Sequence, residues 1–169
     1  DELFVVGRGQ NTVTILDAAD LSFVEQLSTG AGSNPQDVAV SGGRLFVATY
    51  GGKGLVELTR GSTTITEIDL AADDPDGQPN CTSIAAIGDE LFVSCGLLDN
   101  TQGFPGPRGP GKVYVVDPVS RAVARTITLS TANPITLLEQ VPPGGGVGDL
   151  LIATVTFSPP YEGCVERVA

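Results

Sequence analysis

The chain has 169 residues, with nine Lys and Arg against twenty Asp and Glu, a net charge of −11 and a hydrophobic content of 41%, which fits one compact domain or a piece of a larger one. Two lysines and seven arginines scattered along it form no basic stripe for nucleic acid, and no apolar stretch approaches the roughly 20 residues that span a bilayer. With no histidine, these residues contain no Ser-His-Asp triad, no Cys-His pair and no imidazole metal ligand.

The sequence starts at Asp1 without a charged and apolar leader, so a leader that has been removed or an internal fragment is expected. A β-prone run, Leu3-Phe4-Val5-Val6-Gly7, comes first and recurs as Leu45–Thr49, Leu91–Cys95 and Leu150–Thr154. The starts are 42, 46 and 59 residues apart. The first two spacings match propeller blades of roughly 40–50 residues, and the third fits a blade with a loop insertion. After the first run, Thr12–Leu16 and Phe23–Leu27 read as two further strands.

The next unit is complete: Asp37–Val40, a Gly42-Gly43 turn, Leu45–Thr49, Leu55–Leu58, and Thr63–Ile68 after Arg60–Ser62. It is a four-stranded antiparallel meander, with strands A to D running from the inside outward. A second complete unit follows as Thr82–Ile87, Leu91–Cys95, Val113–Val116 and Ala122–Leu129. The last unit opens at Asn133-Pro134 and closes on Val165–Val168 as a C-like strand. The expected fold is therefore all-β: a single partial β-propeller over 1–169, of about three and a half four-stranded antiparallel blades cut at 1–30, 31–70, 71–131 and 132–169. Both ends leave an unpaired edge, so continuation into further blades of a larger ring is expected. A β-sandwich also uses many short strands, but it gives no reason for Leu-Phe-Val at near-constant spacing.

The run Pro35-Gln36-Asp37-Val38-Ala39-Val40, then Gly42-Gly43, then Phe46-Val47-Ala48-Thr49, resembles the YVTN-type, surface-layer-like β-propeller repeats, related to NHL and lactonase-type propellers. Phenylalanine stands where that family usually has tyrosine. The resemblance implies a bacterial, secreted or cell-surface scaffold. Architecture does not carry activity, because such propellers include binding scaffolds as well as enzymes.

In a meander, A–B and C–D turns lie at one end of each blade and B–C and D–A connections at the other. The first set is short, apart from 142–148. The second holds the long segments 71–80, 96–111, 30–34 and 157–163, and function is expected on that loop-rich face. Within 69–80, Asp74, Asp76 and Asn80 are candidate ligands for calcium, which accepts irregular oxygen sets. A register ending at Gly77 meets Ala72 where an oxygen is needed, and a solvated Asp/Pro/Gly turn explains the same residues. Within the insertion 97–111, which strand order sets beside the acidic loop on the same blade, Asp99, Asn100, Phe104 and Arg108 are candidate ligand contacts, and a plain surface insertion is the alternative.

Cys81 and Cys95 are nearly symmetric about Gly88-Asp89, so either a cross-strand disulfide or two buried thiols fits them. A disulfide implies the periplasm or the cell exterior. Cys164 has no evident partner among these residues. The leading expectation is a non-enzymatic, secreted or cell-surface propeller presenting its loop-rich face to a protein or glycan, with no catalytic residue assigned. The alternative is a metal-dependent lactonase-type hydrolase, whose ligands would converge from several blades on the axis.

Overall fold

A computed structural model describes residues 1–101, 103–141, 150–157 and 161–168 of the chain. The β-prone runs become four antiparallel sheets stacked side by side. The first contains β1 (Glu2–Gly7), β2 (Thr12–Asp17) and β3 (Phe23–Ser28). The second runs β4 (Pro35–Ser41), β5 (Arg44–Thr49), β6 (Gly54–Leu58) and β7 (Ile65–Asp69). In the third, β8 (Cys81–Ile87) and β9 (Glu90–Cys95) are followed by a small hairpin of β10 (Leu98–Asp99) and β11 (Gly106–Pro107), then by β12 (Lys112–Asp117) and β13 (Ala122–Thr128). The fourth comprises β14 (Glu139–Gln140), β15 (Leu150–Val155) and β16 (Gly163–Val168). The strand orders β4-β5-β6-β7 and β8-β9-β12-β13 are those of propeller blades, and the four blades make an open arc with edge strands β1 and β16.

Burial explains why the Leu-Phe-Val runs carried the repeat. Strand B of each inner blade is covered on both faces by neighbouring blades, so every residue of β5 and β9 after the first is buried. A strand buried on both faces reads as a continuous apolar run rather than as an alternation. Strand D lies at the rim and is mostly exposed, as in β13. The core has three parts, one between each pair of successive blades. The first packs Val13 and Ile15 against Val47 and Val56. Phe46 and Leu55 meet Ile84 and Val93 in the second, and Phe92 and Val115 meet Leu150 and Ile152 in the third.

Turn chemistry sets the registers. Ser41 pairs with Arg44 across a two-residue turn whose Gly42 and Gly43 have φ of 55° and 74°, the type I′ geometry that hairpin twist favours. The C–D turns of blades one and three share one device. Asp17 Oδ1 accepts from the Ala19 N–H and Asp117 Oδ1 from the Val119 N–H. Each turn then closes through a residue at positive φ, Leu21 or Arg121, and a bulge follows. A third device heads strand A. Asn34, Asn80 and Asn133 all have φ between 45° and 55°, and their carbonyls accept from the N–H groups of Tyr50, Gly96 and Val155. Asparagine tolerates that left-handed conformation better than most residues.

The inner strands are joined by side chains rather than by a ladder. Asp37 Oδ2 accepts from the Ser83 hydroxyl at 2.8 Å and the Ile84 N–H at 2.9 Å. Ser83 Oγ in turn accepts from the Leu138 N–H at 2.8 Å, and the Thr82 hydroxyl donates to the Pro134 carbonyl at 2.7 Å. On the turn face Glu57, only 5% exposed, accepts a forked pair from Arg121 at 2.7 and 3.2 Å and lies 3.1 Å from Arg44. This buried carboxylate clamps blade two to blade three. Cys81 and Cys95 stand directly opposite in the register and are joined as a disulfide with Cα atoms 3.9 Å apart. Cys164 is a free thiol among the hydroxyls of Ser130, Thr131 and Thr154.

Blade four departs from the repeat in its inner strand. Pro134 makes one isolated bridge to Thr154, and pairing resumes only at β14. Pro134 has no N–H to give a ladder. The Ala153 N–H between these points donates to the Thr136 hydroxyl instead. The outer strand of blade two also starts later than expected, at Ile65 rather than Thr63, after the Thr64 N–H donates to Ser62 Oγ. The turn expected at 142–148 and residues 158–160 of the last loop lie outside the described residues.

Candidate functional site

The acidic turn and the insertion meet on one blade. Residues 71–73 form a single 3-10 turn, and Asp73 is tied to β12 by Lys112 at 2.7 Å and by the Tyr114 hydroxyl at 3.3 Å. Lys112 holds the Asp73 carboxyl below its ordinary range. Asp74, Asp76 and Gln78 then follow in two successive Asx turns: Asp74 Oδ1 accepts from the Asp76 N–H at 3.0 Å, and Asp76 Oδ1 from the Gln78 N–H at 3.1 Å.

The acidic turn and the insertion, set side by side by the strand order, form one network. Asn100, at the start of the insertion, donates its N–H to Asp76 Oδ2 at 2.9 Å and exchanges amide hydrogen bonds with Asn80 at 3.0 and 3.1 Å. Asn80 Oδ1 also accepts from the Leu98 N–H at 3.0 Å. Arg108 returns from the far side of the insertion, reaching Asp99 at 2.7 Å, Asp76 at 3.2 Å and Asp74 at 3.9 Å. Asp74, Asp76, Asn80, Asp99, Asn100 and Arg108 thus share one patch, whereas Phe104 stands apart at the rim, 74% exposed.

Its charges are unequal. The Asp99 carboxyl is brought down to about 2 by hydrogen bonds from Thr101 and then from Arg108. Burial pushes the Asp76 carboxyl up, but the Asn100 donors outweigh it and hold it below its ordinary range. Asp74 goes the other way: burial, reinforced by the Asp76 carboxylate, raises it. Its side chain has no exposed surface and its Oδ2 has no hydrogen-bond partner. Of the expected trio of Asp74, Asp76 and Asn80, the Asp74 and Asp76 carboxyls adjoin one another. Asp76 and Asn80 meet through Asn100, and the Asp74 side chain is buried. Among the described residues no group of three or more Cys, Asp or Glu is placed to hold a metal.

Beside the patch, Phe104, Pro105, Pro107, Leu98, Asn133 and Phe157 line an apolar cleft of about 110 Å³. Phe157 is also exposed, as is Tyr161 on the same β15–β16 connection. Phe157 and Phe104 are 53 residues apart and are brought to one cleft only by the stacking of blades, so their pairing is not readable along the chain. The opposite face holds a groove of about 580 Å³ lined by Arg44, Asp89, Glu90, Asp117 and Val119, between the A–B and C–D turns. Its charges are largely paired, Arg44 with Glu57 and Glu90 with Arg125.

No family model matches the chain, and no curated protein matches its sequence. Its backbone is similar to part of hydrazine synthase from Kuenenia stuttgartiensis, with a TM-score of 0.72 and 17% identity over 99% of this chain and 42% of that one. A protein of unknown function from Bacteroides caccae matches at a TM-score of 0.58 and 13% identity, over 99% and 57% of the two chains. A functionally unknown protein from Desulfotomaculum acetoxidans matches at 0.61 and 13%, over 99% and 51%. At these identities the likeness concerns the fold alone. The chain spans about half the length of these three structures. Among the described residues no helix is long and apolar enough to cross a membrane.

Proposed function

We propose that this chain is an arc of a larger bacterial propeller of the YVTN, surface-layer-like type, exported to the periplasm or cell surface, where it binds a protein or glycan without catalysis. The observation that carries the reading is the union of the acidic turn and the insertion beside a cleft flanked by exposed Phe104 and Phe157. Exposed aromatic rings beside an arginine and fixed hydrogen-bonding groups are the composition of recognition surfaces. Rigid blades beneath hold these loops in place, the usual division of labour between scaffold and function. The Cys81–Cys95 disulfide favours an oxidising compartment. Apolar side chains on the outward faces of the terminal blades, Leu3 and Val5 at one end and Leu151 and Val165 at the other, favour further blades stacked against both.

Glycan arrays and peptide libraries probed with the protein test the reading. The expected result is a ligand class whose binding falls at least tenfold in Phe104→Ala and Arg108→Ala while melting behaviour is kept. A ligand indifferent to both substitutions, or turnover of lactones in metal-supplemented buffer, overturns it.

A further inference from the structure

The seam between blades one and two stays open on the loop-rich face. The connection from β3 to β4 is short, turning on Gly30 and Gly32 with φ of 94° and 74°, and between it and the β5–β6 connection lies a cavity of about 260 Å³. Its polar wall comes from Thr29, Ser33 and Thr49, which are 2%, 7% and 1% exposed. Ser33 gives its hydrogen to Asn11 Oδ1 at 3.3 Å, so Thr29 is the donor in the 2.7 Å contact between the Thr29 and Ser33 hydroxyls, and its oxygen is left able to accept. Thr49 differs from its counterparts. Thr49, Cys95 and Thr154 stand opposite Pro35, Cys81 and Pro134 in successive blades. Cys95 is in the disulfide and the Thr154 hydroxyl meets Thr131 and Cys164, whereas the Thr49 hydroxyl has no hydrogen bond among the described residues. A buried hydroxyl without a partner is unfavourable, which favours a group in the cavity that bonds to it.

From these observations we infer that the pocket binds a single sugar residue of a glycan. Exposed Glu67 supplies the charge among its lining residues: Oε1 stands 3.6 Å from where a Cβ on Gly52 would be, and no ion pair or hydrogen bond among the described residues holds it. The carboxylate and the Thr29 oxygen only accept, while the Thr49 hydroxyl can both donate and accept. Neighbouring hydroxyls of a sugar match that set, because each both gives and takes a hydrogen bond. An ammonium has no acceptor for the Thr49 hydrogen, and an anion is repelled by Glu67. Val56 and Ile65 supply an apolar wall for the C–H face of the ring. The volume falls just short of the about 300–1,000 Å³ that houses drug-sized ligands, so one ring fits rather than a chain. The site shares the loop-rich face and the glycan class of the proposed function but none of the residues named for it, so either can fail alone.

Methyl glycosides of glucose, galactose, mannose and N-acetylglucosamine, titrated one at a time into the isotope-labelled chain, test the assignment through backbone amide shifts. The expected result is saturable movement of the Gly30, Thr49 and Gly52 amides by at least one of them, with a Kd of about 1 mM, the affinity of a ligand of about a dozen heavy atoms. Thr49→Val is expected to weaken that binding about tenfold and Glu67→Ala about threefold. Saturable shifts confined to Leu98 and Asn133 place the sugar in the cleft beside Phe104 and overturn the pocket. No saturable shift with any of these glycosides at about 50 mM overturns it too, as does binding that is unchanged in Thr49→Val. Should Thr49→Val fail to fold, Glu67→Ala decides, since Glu67 is exposed on the outer strand β7: weaker binding upholds the site and unchanged binding overturns it.

Discussion

Glu57 shows how far a residue's surroundings can depart from its local sequence. It is the one charged residue of the run Leu55-Val56-Glu57-Leu58, and it is buried between two arginines from other turns. The hydrogen bond from Arg121, against burial but with help from Arg44, holds its carboxyl below the ordinary 4.5. A carboxyl depressed in the folded state stabilises the fold above its unfolded value and loses that contribution as pH falls through the folded one. Acid is therefore expected to reduce stability below about pH 4.5 in the wild type, and Glu57→Gln to flatten that dependence, as measured by urea melts from pH 3 to 7. At pH 7 the same substitution is expected to be destabilising by about 1–3 kcal/mol, because two guanidinium groups lose their shared partner while remaining partly solvated. Asp37→Ala, which leaves the Ser83 hydroxyl and the Ile84 N–H without their acceptor, is expected to cost about 1–3 kcal/mol in the same melts. Sequence alone located Asn80 but not its backbone role. Asn34 and Asn133 precede proline and Asn80 does not, so the shared element is the left-handed asparagine before strand A rather than an Asn-Pro pair.

At the scale of elements, most strands were legible because each carries a strong apolar run between turn residues. Blade four was not, since its inner strand is completed by a threonine hydroxyl that substitutes for a ladder hydrogen bond. The patch was legible in its parts and in its neighbourhood, since strand order sets the insertion beside the acidic turn on one blade; the particular contacts through Asn100 and Arg108 were not, because they depend on side-chain directions within irregular loops. Gly54 starts strand β6 at φ 97°, where an added Cβ would stand 2.7 Å from Pro79 Cγ and 2.8 Å from Cys81 Sγ. Gly54→Ala is therefore expected to lower stability by about 2 kcal/mol or more, visible as a drop in melting temperature, since both the backbone angle and the next blade oppose a methyl group. Alkylation of the native, unreduced protein is expected to modify Cys164 alone, with Cys81 and Cys95 labelled only after unfolding and reduction. Labelling of all three before reduction would contradict the disulfide.

Across the whole molecule, each blade packs against its neighbours in sequence, so the structure is a row of three interfaces rather than one central core. The middle interface is the most heavily tied. It contains the double-arginine clamp and the Asp37–Ser83 link, with the disulfide inside blade three buried against it, whereas each outer sheet has one face exposed. In a linear array of this kind, stability is a sum of unit and nearest-neighbour terms. The molecule should therefore loosen like a zip from both ends: backbone amides of β1 and β16 would exchange with deuterium first, and those of β5, β6 and β9 would persist longest. The loop-bearing patch lies on blade three, beside the slowest-opening seam. Whatever settles on those loops therefore rests on the stiffest part of the arc, and its grip need not be spent on holding the blades together.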